Sequence, residues 1–308
     1  MLTECKICHV TRDNDSYVAK EMMYGLRDQF DYFECAQCGC LQILNFPANI
    51  SDYYPADYDA YAQVNEKTIS PLKHVLMRQL TNLYLNGIVP YRLKRWAPWL
   101  KKTGAKINSK ILDVGCGTGT KLKELYEIGF LNLTGIDPFI PQNYTYYDRI
   151  HVYKKEVTQV NDKYDLIMMH HVFEHVPDPL QVLMQLNKIL NPGGCVLIRI
   201  PVTGYAWRTY KTDWIQLDAP RHFFLHSQKS IELLANEAGF SIDALIYDST
   251  GFQFYGSELY AKGIPMKEFE TRNFFDSGKM AEFEQSAVQL NKKSDGDQAC
   301  FYLRKSIP

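Results

Sequence analysis

The sequence predicts an α/β fold in which a mostly parallel, doubly wound sheet is covered by helices on both faces, preceded by a small cysteine-rich module. Residues 109–308 alternate between short apolar runs and stretches of helical periodicity, which is the pattern of consecutive strand–helix units. Five of the eight cysteines lie in the first 40 residues. The chain has 308 residues and is 46% hydrophobic, enough for one large domain or two modest ones.

Charge and hydropathy argue against three classes of protein: nucleic-acid-binding, membrane-spanning and secreted proteins. The net charge of −1 argues against a general nucleic-acid-binding protein, although it leaves a local basic patch open. No run of about 18 apolar residues occurs, so we expect no transmembrane segment. Residues 1–9 carry an acid and two cysteines where a signal peptide would be apolar. We therefore expect a cytoplasmic protein, and the sequence leaves its oligomeric state open.

Three stretches divide the chain. Residues 1–50 form the cysteine-rich module, residues 51–108 a helical linker or cover, and residues 109–308 the α/β domain, with an insertion at about 252–296. In the middle stretch a proline at position 71 fits the first turn of a helix. Apolar residues follow it at helical spacing, which predicts a helix with an apolar face: Leu72, Val75, Leu76, Leu80 and Leu83.

The α/β domain contains strand-like and helix-like runs in alternation. The predicted strands are 110–114, 131–136, 150–153, 164–169, 195–200, 242–247 and 299–303. The predicted helices are 120–128, 178–190 and 228–238. Residues 191–194 read Asn-Pro-Gly-Gly, which is typical of a turn between the helix and the strand on either side.

The most specific segment runs from Asp113 to Asp137. Gly115, Gly117 and Gly119 lie between a predicted strand and a predicted helix, and Asp137 ends the following strand. Glycine lets a backbone adopt positive φ and approach a ligand closely. An acid at the end of the second strand can accept hydrogen bonds from both hydroxyls of a ribose. The alternatives are a plain tight turn for the glycines and a turn or helix-capping role for the acid.

Residues 113–119 resemble motif I of the class I S-adenosylmethionine (SAM)-dependent methyltransferases, because the pattern is Gly-x-Gly-x-Gly preceded by an acid. Residues 164–167, 173–179 and 190–194 also match segments of that family. The resemblance covers about residues 110–250. It implies a Rossmann-like sheet of seven strands whose last strand, near residues 301–303, is antiparallel. It also implies an enzyme that transfers a methyl group from SAM.

The resemblance assigns cofactor-binding roles to individual residues. The loop would form the floor under the methionine part of SAM: Gly115, Cys116, Gly117 and Gly119. Asp113 would orient this loop and approach the amino group of SAM through water, and Asp137 would hold the ribose diol.

Three further residues complete the implied cofactor site. Glu156 stands where the family usually has an acid that reads the adenine amino group, with Val157 beside the ring. His170, at the end of the fourth strand, would close the pocket.

The N-terminal cysteines form two pairs with metal-ligand spacing. Cys5 and Cys8, and then Cys35 and Cys38, are each separated by two residues, which lets one turn present two sulfurs to one ion. Four thiolates without an open position predict a structural zinc site, and residues 22–33 would form the hairpin between the pairs. Cys40 and His9 are alternative ligands, and buried thiols or disulfides are the alternative to zinc.

A zinc module followed by a SAM domain resembles bacterial methyltransferases of sugar and surface-polysaccharide pathways. The resemblance implies a small-molecule acceptor, such as a nucleotide-linked sugar. It leaves open whether oxygen, nitrogen or carbon is methylated. Zinc ribbons also occur in RNA-modifying enzymes, so the module alone does not identify the acceptor.

His222 is the candidate general base for the acceptor. The segment after the fifth strand commonly meets the acceptor in this fold, and imidazole titrates near neutrality. Arg221 would clamp an anionic group, and Tyr205, Trp207 and Trp214 would offer rings for stacking. The alternatives are a structural histidine at 222, a base role for His175, and a packing role for the rings.

Residues 91–110 form a basic segment without an acid, containing Arg92, Lys94, Arg95, Lys101, Lys102, Lys106 and Lys110. With Trp96 and Trp99 among these residues, the segment could face a nucleotide, RNA or an anionic membrane surface. A solvated helix face is the simpler interpretation. Two other functions stay open: an RNA methyltransferase that uses the ribbon and this segment, and a non-catalytic module that binds SAM or zinc.

Overall fold

The structure is a computed structural model that describes residues 3–54, 69–90, 97–271 and 274–306. Within these ranges it has twelve strands: β1 (Asp15–Lys20), β2 (Gln29–Glu34), β3 (Leu41–Ile43), β4 (Ile111–Val114), β5 (Leu133–Ile136), β6 (Tyr144–Tyr146), β7 (Ile150–Tyr153), β8 (Tyr164–His170), β9 (Leu190–Pro201), β10 (Phe224–Leu225), β11 (Phe240–Tyr247) and β12 (Gln298–Lys305). The helices of the same ranges are α1 (Pro71–Leu85), α2 (Ala97–Thr103), α3 (Thr120–Glu127), α4 (Pro179–Ile189), α5 (Tyr205–Tyr210), α6 (Gln228–Glu237), α7 (Phe252–Ala261) and α8 (Ser277–Lys292).

The main sheet confirms the α/β fold. Its order is β11-β12-β9-β8-β4-β5-β7-β6, and the neighbours from β9 to β7 pair in parallel. β12 is antiparallel to both β9 and β11, as expected of the last strand. The predicted count of seven strands is one short, because β6 adds an edge strand antiparallel to β7. Only three residues long, β6 carries too little periodicity for its sequence to predict it.

The central strands form where the sequence is apolar on both faces. All four residues of β4 are buried, as expected of a parallel strand covered by helices on both sides. The predicted turn at 191–194 lies inside the first residues of β9. Tyr164 of β8 pairs with Leu190, whereas Leu166 pairs with Cys195, so the Asn-Pro-Gly-Gly segment is an irregularity in the ladder.

The N-terminal module contributes three strands to a second sheet, of order β1-β2-β3-β10. The fourth strand, β10, comes from the segment that follows β9, so the ladder joins residues about 180 positions apart. The hydroxyl of Tyr32 donates to the backbone carbonyl of His222 at 2.8 Å, which ties the same two segments together. The hairpin expected at residues 22–33 is instead formed by β1 and β2, since the first strand starts earlier.

Helix α1 begins at the predicted proline, but its apolar face is not buried as the periodicity suggests. Leu72, Val75 and Leu76 are exposed, and Leu72 keeps 84% of its surface. Thr81 is buried instead, and its hydroxyl donates to the carbonyl of Ile128 at 2.6 Å. Residues 91–96, which carry three of the seven basic residues of the basic segment, lie outside the described residues. No helix among the described residues has the length and apolar character to span a bilayer.

The insertion packs against the segment that follows β9. A Cβ on Gly256 of α7 would lie 2.8 Å from a side-chain carbon of Ile215, so glycine permits a close approach. The amide of Ile215 donates to the Ser257 hydroxyl at 3.0 Å. The Trp214 indole N–H donates to Asp297, just before β12, at 3.0 Å. These contacts hold the start of the insertion, and the residue just after its end, against the segment that follows β9.

Candidate functional site

The candidate site lies at the carboxyl edge of the main sheet. β4, β5 and β8 are adjacent and parallel, so the segments that follow them meet at one edge. The glycine loop follows β4, Asp137 follows β5, and His170 ends β8. In an open α/β sheet this edge is where ligands bind. The structure thus brings together residues that lie up to 55 positions apart in the sequence, from Gly115 to His170.

The three glycines of the loop have backbone conformations that side chains disfavour. Their φ angles are +68° at Gly115, +53° at Gly117 and +98° at Gly119. A Cβ on Gly115 would lie only 2.4 Å from Cγ2 of Val172, and one on Gly119 would lie 2.9 Å from Cγ2 of Val152. The result is a backbone cradle without side chains, which fits the approach of an extended ligand such as the methionine part of SAM.

Asp137 braces this cradle from the end of β5. One carboxylate oxygen accepts from the amide of Gly117 at 3.0 Å, and the other accepts from the amide of Phe139 at 2.8 Å. Burial raises the pKa of Asp137, and these amides oppose the increase. Each oxygen has a second lone pair, so the carboxylate can hold the loop and still accept from a ribose.

Two other loop residues are placed by packing. Burial raises the pKa of Asp113 to about 7, an effect that Lys121 opposes and Asp137 reinforces. Cys116 lies over Gly135 of β5, where an added Cβ would be 2.5 Å from the Cys116 sulfur. The need for glycine at 135 was not recognised from the sequence, although a glycine inside a strand is a known signal of close approach.

The predicted adenine-binding residues lie at the same edge of the sheet. Glu156 and Val157 follow the end of β7, where a short 3₁₀ helix (Val157–Gln159) begins. Glu156 is exposed and Val157 is buried. Their assignment to the adenine ring stays a prediction.

His170 is covered by a tryptophan that the sequence analysis had placed in the basic segment. The ring centroids of His170 and Trp99 are 5.0 Å apart, and the two ring planes are tilted by 34°. The Arg199 guanidinium and the Lys121 ammonium lie 5.1 and 5.5 Å from the Trp99 ring. Neither ring nitrogen of His170 has a hydrogen-bond partner among the described residues, and burial lowers its pKa. Trp99 therefore contributes to this edge of the sheet.

A histidine–carboxylate cluster, consisting of Glu174, His175 and His222, lies beside the cradle. One ligand atom from each residue lies within 4.8 Å of the others. Glu174 and His175 form a 3₁₀ turn directly after β8, and His222 comes from the loop before β10. Burial and the neighbouring His175 together lower the pKa of His222 to about 4, although Asp218 and Glu174 oppose this decrease. The candidate general base is thus a buried residue.

Arg221 and two of the candidate rings do not have the accessibility expected of them. The Arg221 guanidinium is fully buried and forms ion pairs with Asp218 at 2.5 Å and Glu21 at 3.1 Å. Its donors are engaged by protein groups, so the prediction of an anion clamp is wrong. Trp207 and Trp214 are core residues. Neither can stack on an acceptor, since both side chains are excluded from the surface.

The four predicted zinc ligands meet in space. Cys5 and Cys38 sulfurs are 3.6 Å apart, Cys8 and Cys35 sulfurs are 3.4 Å apart, and all four lie within 4.8 Å. Zinc–sulfur bonds of about 2.3 Å place two tetrahedral ligands about 3.8 Å apart, so the set fits zinc. The Gln42 amide donates to the Cys5 sulfur at 2.9 Å.

The alternative ligands at this site lie elsewhere. Cys40 faces His226, with 3.9 Å between the sulfur and Nδ1, and His9 pairs with Glu4 at 2.9 Å. Neither belongs to the four-residue group.

Two surface clefts lie away from this edge of the sheet. One is lined by residues of β11 and α8, including Leu245 and Val288. The other is lined by Thr103, Asp165 and Gly193, near the start of β8 and β9, which is the opposite edge. The candidate site is therefore identified by the backbone conformation of the glycine loop and by the Asp137 carboxylate, and not by the size of a cavity.

Comparisons with known proteins agree on one family. Residues 88–245, about half of the chain, match the family model described as a methyltransferase domain. A curated ubiquinone biosynthesis O-methyltransferase from Aeromonas salmonicida is 31% identical over 128 residues, covering 37% of this chain and 51% of that protein. One of the same name from Thiobacillus denitrificans is 26% identical over 181 residues, covering 52% and 75%. This chain spans about half the length of most of the curated relatives it matches.

Solved structures that align with this chain include methyltransferases. An S-adenosylmethionine dependent methyltransferase from Mesorhizobium loti aligns with a TM-score of 0.46 and 14% identity, covering 72% of this chain and all of that one. The 1,6-didemethyltoxoflavin-N1-methyltransferase of Burkholderia thailandensis aligns with a TM-score of 0.42 and 15% identity, covering 80% and 95%.

Proposed function

This chain belongs to the methyltransferase-domain family, and we propose that it transfers a methyl group from SAM to a hydroxyl oxygen of a small molecule. The domain is a SAM-dependent methyltransferase domain. The choice of oxygen is supported by the curated relatives, which are named O-methyltransferases.

One observation carries the proposal. Three glycines with positive φ form a cradle at the carboxyl edge of the sheet, and the Asp137 carboxylate lies against it. SAM supplies a methyl group on a positively charged sulfur, and its transfer is an in-line displacement for which alignment is the main requirement. Gly115, Gly117 and Gly119 would support the methionine part, Cys116 would pack beneath them, and Asp137 would accept from the ribose hydroxyls.

Three further residues would hold the two ends of the cofactor. Asp113 would approach the amino group of the methionine part. Glu156 and Val157 would meet the adenine at the end of β7. His170, covered by Trp99, would close the pocket beside β8.

Transfer to a hydroxyl also requires a proton to leave. The acceptor oxygen forms a bond to the methyl carbon, the carbon–sulfur bond breaks, and its electron pair returns to sulfur. We assign the departing proton to His222 Nε2, for the form of the protein in which no metal ion is bound to His222. This nitrogen lies 3.9 Å from Glu174 and 3.8 Å from Asp218, whose negative charges would stabilise the imidazolium. A His222→Gln variant that keeps full turnover would remove this assignment.

The four-cysteine site is proposed to hold a structural zinc ion. Four sulfurs satisfy zinc without leaving a position for substrate. The ion would fix the two turns that flank β1 and β2. The sheet of this module includes β10, which begins two residues after His222, so the zinc module would support the loop that carries the proposed base.

We propose a nucleotide-linked sugar or a related precursor of surface glycans as acceptor, because a four-cysteine module ahead of the domain resembles methyltransferases of those pathways. A second candidate is a hydroxylated quinone-type ring, which the names of the curated relatives favour. An RNA acceptor would use the ribbon and the segment 91–110.

The test is transfer of labelled methyl from SAM, with the full chain incubated separately with nucleotide sugars, with hydroxylated quinone precursors and with RNA. Label in the sugar fraction supports the proposed acceptor, and label in the quinone fraction supports the second candidate. Label in RNA alone, or in no fraction while SAM binds, contradicts small-molecule methylation by these acceptors. The Asp137→Ala variant provides the background, and Asp243→Ala, an exposed acid on β11, is its matched control.

A further inference from the structure

The histidine–carboxylate cluster has an unbalanced charge. Glu174 is fully buried, and neither of its carboxylate oxygens has a hydrogen-bond partner among the described residues. His171 Nδ1 lies 3.5 Å from one of them, at the limit of hydrogen-bonding distance. A buried carboxylate without partners is costly unless a positive charge compensates it.

The nearby arginine cannot supply that charge. Arg221 is already paired with Asp218 and Glu21, so one guanidinium faces two carboxylates. Together with Glu174, the described residues of this region present three carboxylates around one fixed positive charge, that of Arg221. The formal charge is therefore about −2, which is what one divalent cation would neutralise.

Backbone carbonyls set the ring tautomers of the two histidines of the cluster. His222 Nδ1 lies 2.7 Å from the carbonyl of Gln216, and His175 Nδ1 lies 2.8 Å from the carbonyl of Arg221. A carbonyl oxygen only accepts, so each Nδ1 carries the hydrogen and each neutral ring has its lone pair on Nε2. For His222 that nitrogen faces Glu174 at 3.9 Å and Asp218 at 3.8 Å.

We propose that Glu174, His175 and His222 bind one divalent transition-metal ion, with Zn²⁺ as the type ion, through one carboxylate oxygen and two Nε2 atoms. Two imidazoles and a carboxylate are a ligand set typical of such ions. Backbone carbonyls that fix the ring tautomers are the usual outer partners of metal-binding histidines. This site is separate from the four-cysteine site and does not depend on the proposed function.

The distances between the ligand atoms of the three residues would need to shorten only slightly to bind an ion. Ligand bonds of about 2.0–2.1 Å place two ligand atoms at most about 4.2 Å apart, whereas one ligand atom from each of the three residues lies within 4.8 Å of the others. Backbone conformation on both sides of the cluster is unusual as well. His171 has φ of +54° and Asp218 has φ of +42°, and strained residues of this kind gather at functional sites.

A bound ion would change how the neighbouring site works. It would occupy the lone pair of His222, so the metal-bound form would not use His222 as a general base. Val172, which fills the space over Gly115, lies only two residues before Glu174, so the ion would lie beside the cofactor loop.

The first test is the metal content of the full chain after equilibration with excess Zn²⁺ and removal of loosely bound ions. We expect two zinc ions per chain in the wild type and one in Glu174→Gln. The matched control is Asp297→Asn, a carboxylate-to-amide change at another buried site, which should keep two. One ion in the wild type, or two in the Glu174→Gln variant, would overturn the proposal.

A second measurement decides the matter even where Glu174→Gln does not fold. Co²⁺ is added to wild-type protein that already carries one zinc per chain, and the absorption spectrum is recorded. Binding at nitrogen and oxygen ligands gives visible d–d bands without the near-ultraviolet charge-transfer band of cobalt thiolates. That result is expected, and the d–d bands should be lost in His222→Asn. A thiolate band alone, or no bound cobalt, contradicts the site.

Discussion

Replacing Gly115 by alanine tests whether the cradle is built as the structure indicates. The added Cβ would lie 2.4 Å from Cγ2 and 2.7 Å from Cγ1 of Val172, and the residue would keep a φ of +68°. Both effects act on the folded state. Shortening Val172 removes the steric overlap, whereas the cost of the positive φ at residue 115 remains.

The two effects have separable magnitudes. Positive φ costs a residue with a side chain about 1–2 kcal/mol, and overpacking costs about 1–3 kcal/mol. We therefore expect Gly115→Ala to lower the free energy of unfolding by about 2–5 kcal/mol. Val172→Ala alone removes two methyl-sized groups and should cost at most about 1.6 kcal/mol. In the double variant the nearest remaining valine atom is Cβ at 3.1 Å, so most of the overpacking is relieved.

The assay is urea unfolding, followed by circular dichroism, of the wild type, both single variants and the double variant. The double-mutant cycle should give a favourable coupling of about 1–3 kcal/mol. SAM binding should stay weakened in the double variant, because the backbone strain remains. A loss below about 1 kcal/mol in Gly115→Ala, or no coupling to Val172→Ala, would refute the close packing of the loop against this valine.

Three further predictions follow from charge and metal binding. The pKa of Asp113 is about 7 in the free protein, and the ammonium group of bound SAM favours the ionised form of this carboxyl. SAM affinity, measured by calorimetry, should therefore rise by up to about tenfold between about pH 6 and 8. In the Asp113→Asn variant the affinity should not change with pH. Burial raises the pKa of Asp297 from 3.8 to about 6, so ionising this carboxyl costs more in the folded state than in the unfolded state. Relative to Asp297→Asn, the free energy of unfolding of the wild type in urea should fall by up to about 3 kcal/mol as the pH rises from about 4 through 6. A difference between the two proteins that does not change with pH would contradict this burial. Cys35→Ser should lower zinc content by one ion per chain and reduce the melting temperature, whereas Cys40→Ser should keep both ions; zinc loss in both variants would contradict the four-cysteine assignment.

The main sheet could be predicted because its strands carry their own signal. β4 and β8 are largely buried apolar runs, and Gly115 marks the end of β4. The glycine loop was recognisable for the same reason, since its three glycines and the acid that ends the next strand stand within one short segment. Such features depend on neighbours in sequence.

Long-range partners could not be predicted in this way. β10 is two residues long and pairs with β3, and nothing in its composition points to a partner so far along the chain. Arg221 looks like a surface cation in the sequence, yet its partner Glu21 lies 200 positions away and buries it. The helical periodicity of α1 was right, but exposure of Leu72 shows that periodicity alone does not say which face is covered.

The measurement that tests the proposed function most directly is a calorimetric titration of SAM into the full chain and into Asp137→Ala, with Asp243→Ala as the control. We expect one SAM per chain, a loss of at least about tenfold in affinity for Asp137→Ala, and unchanged affinity for Asp243→Ala. Binding that survives unchanged in Asp137→Ala, or no binding to the wild type, would contradict a cofactor site at the loop between β4 and α3.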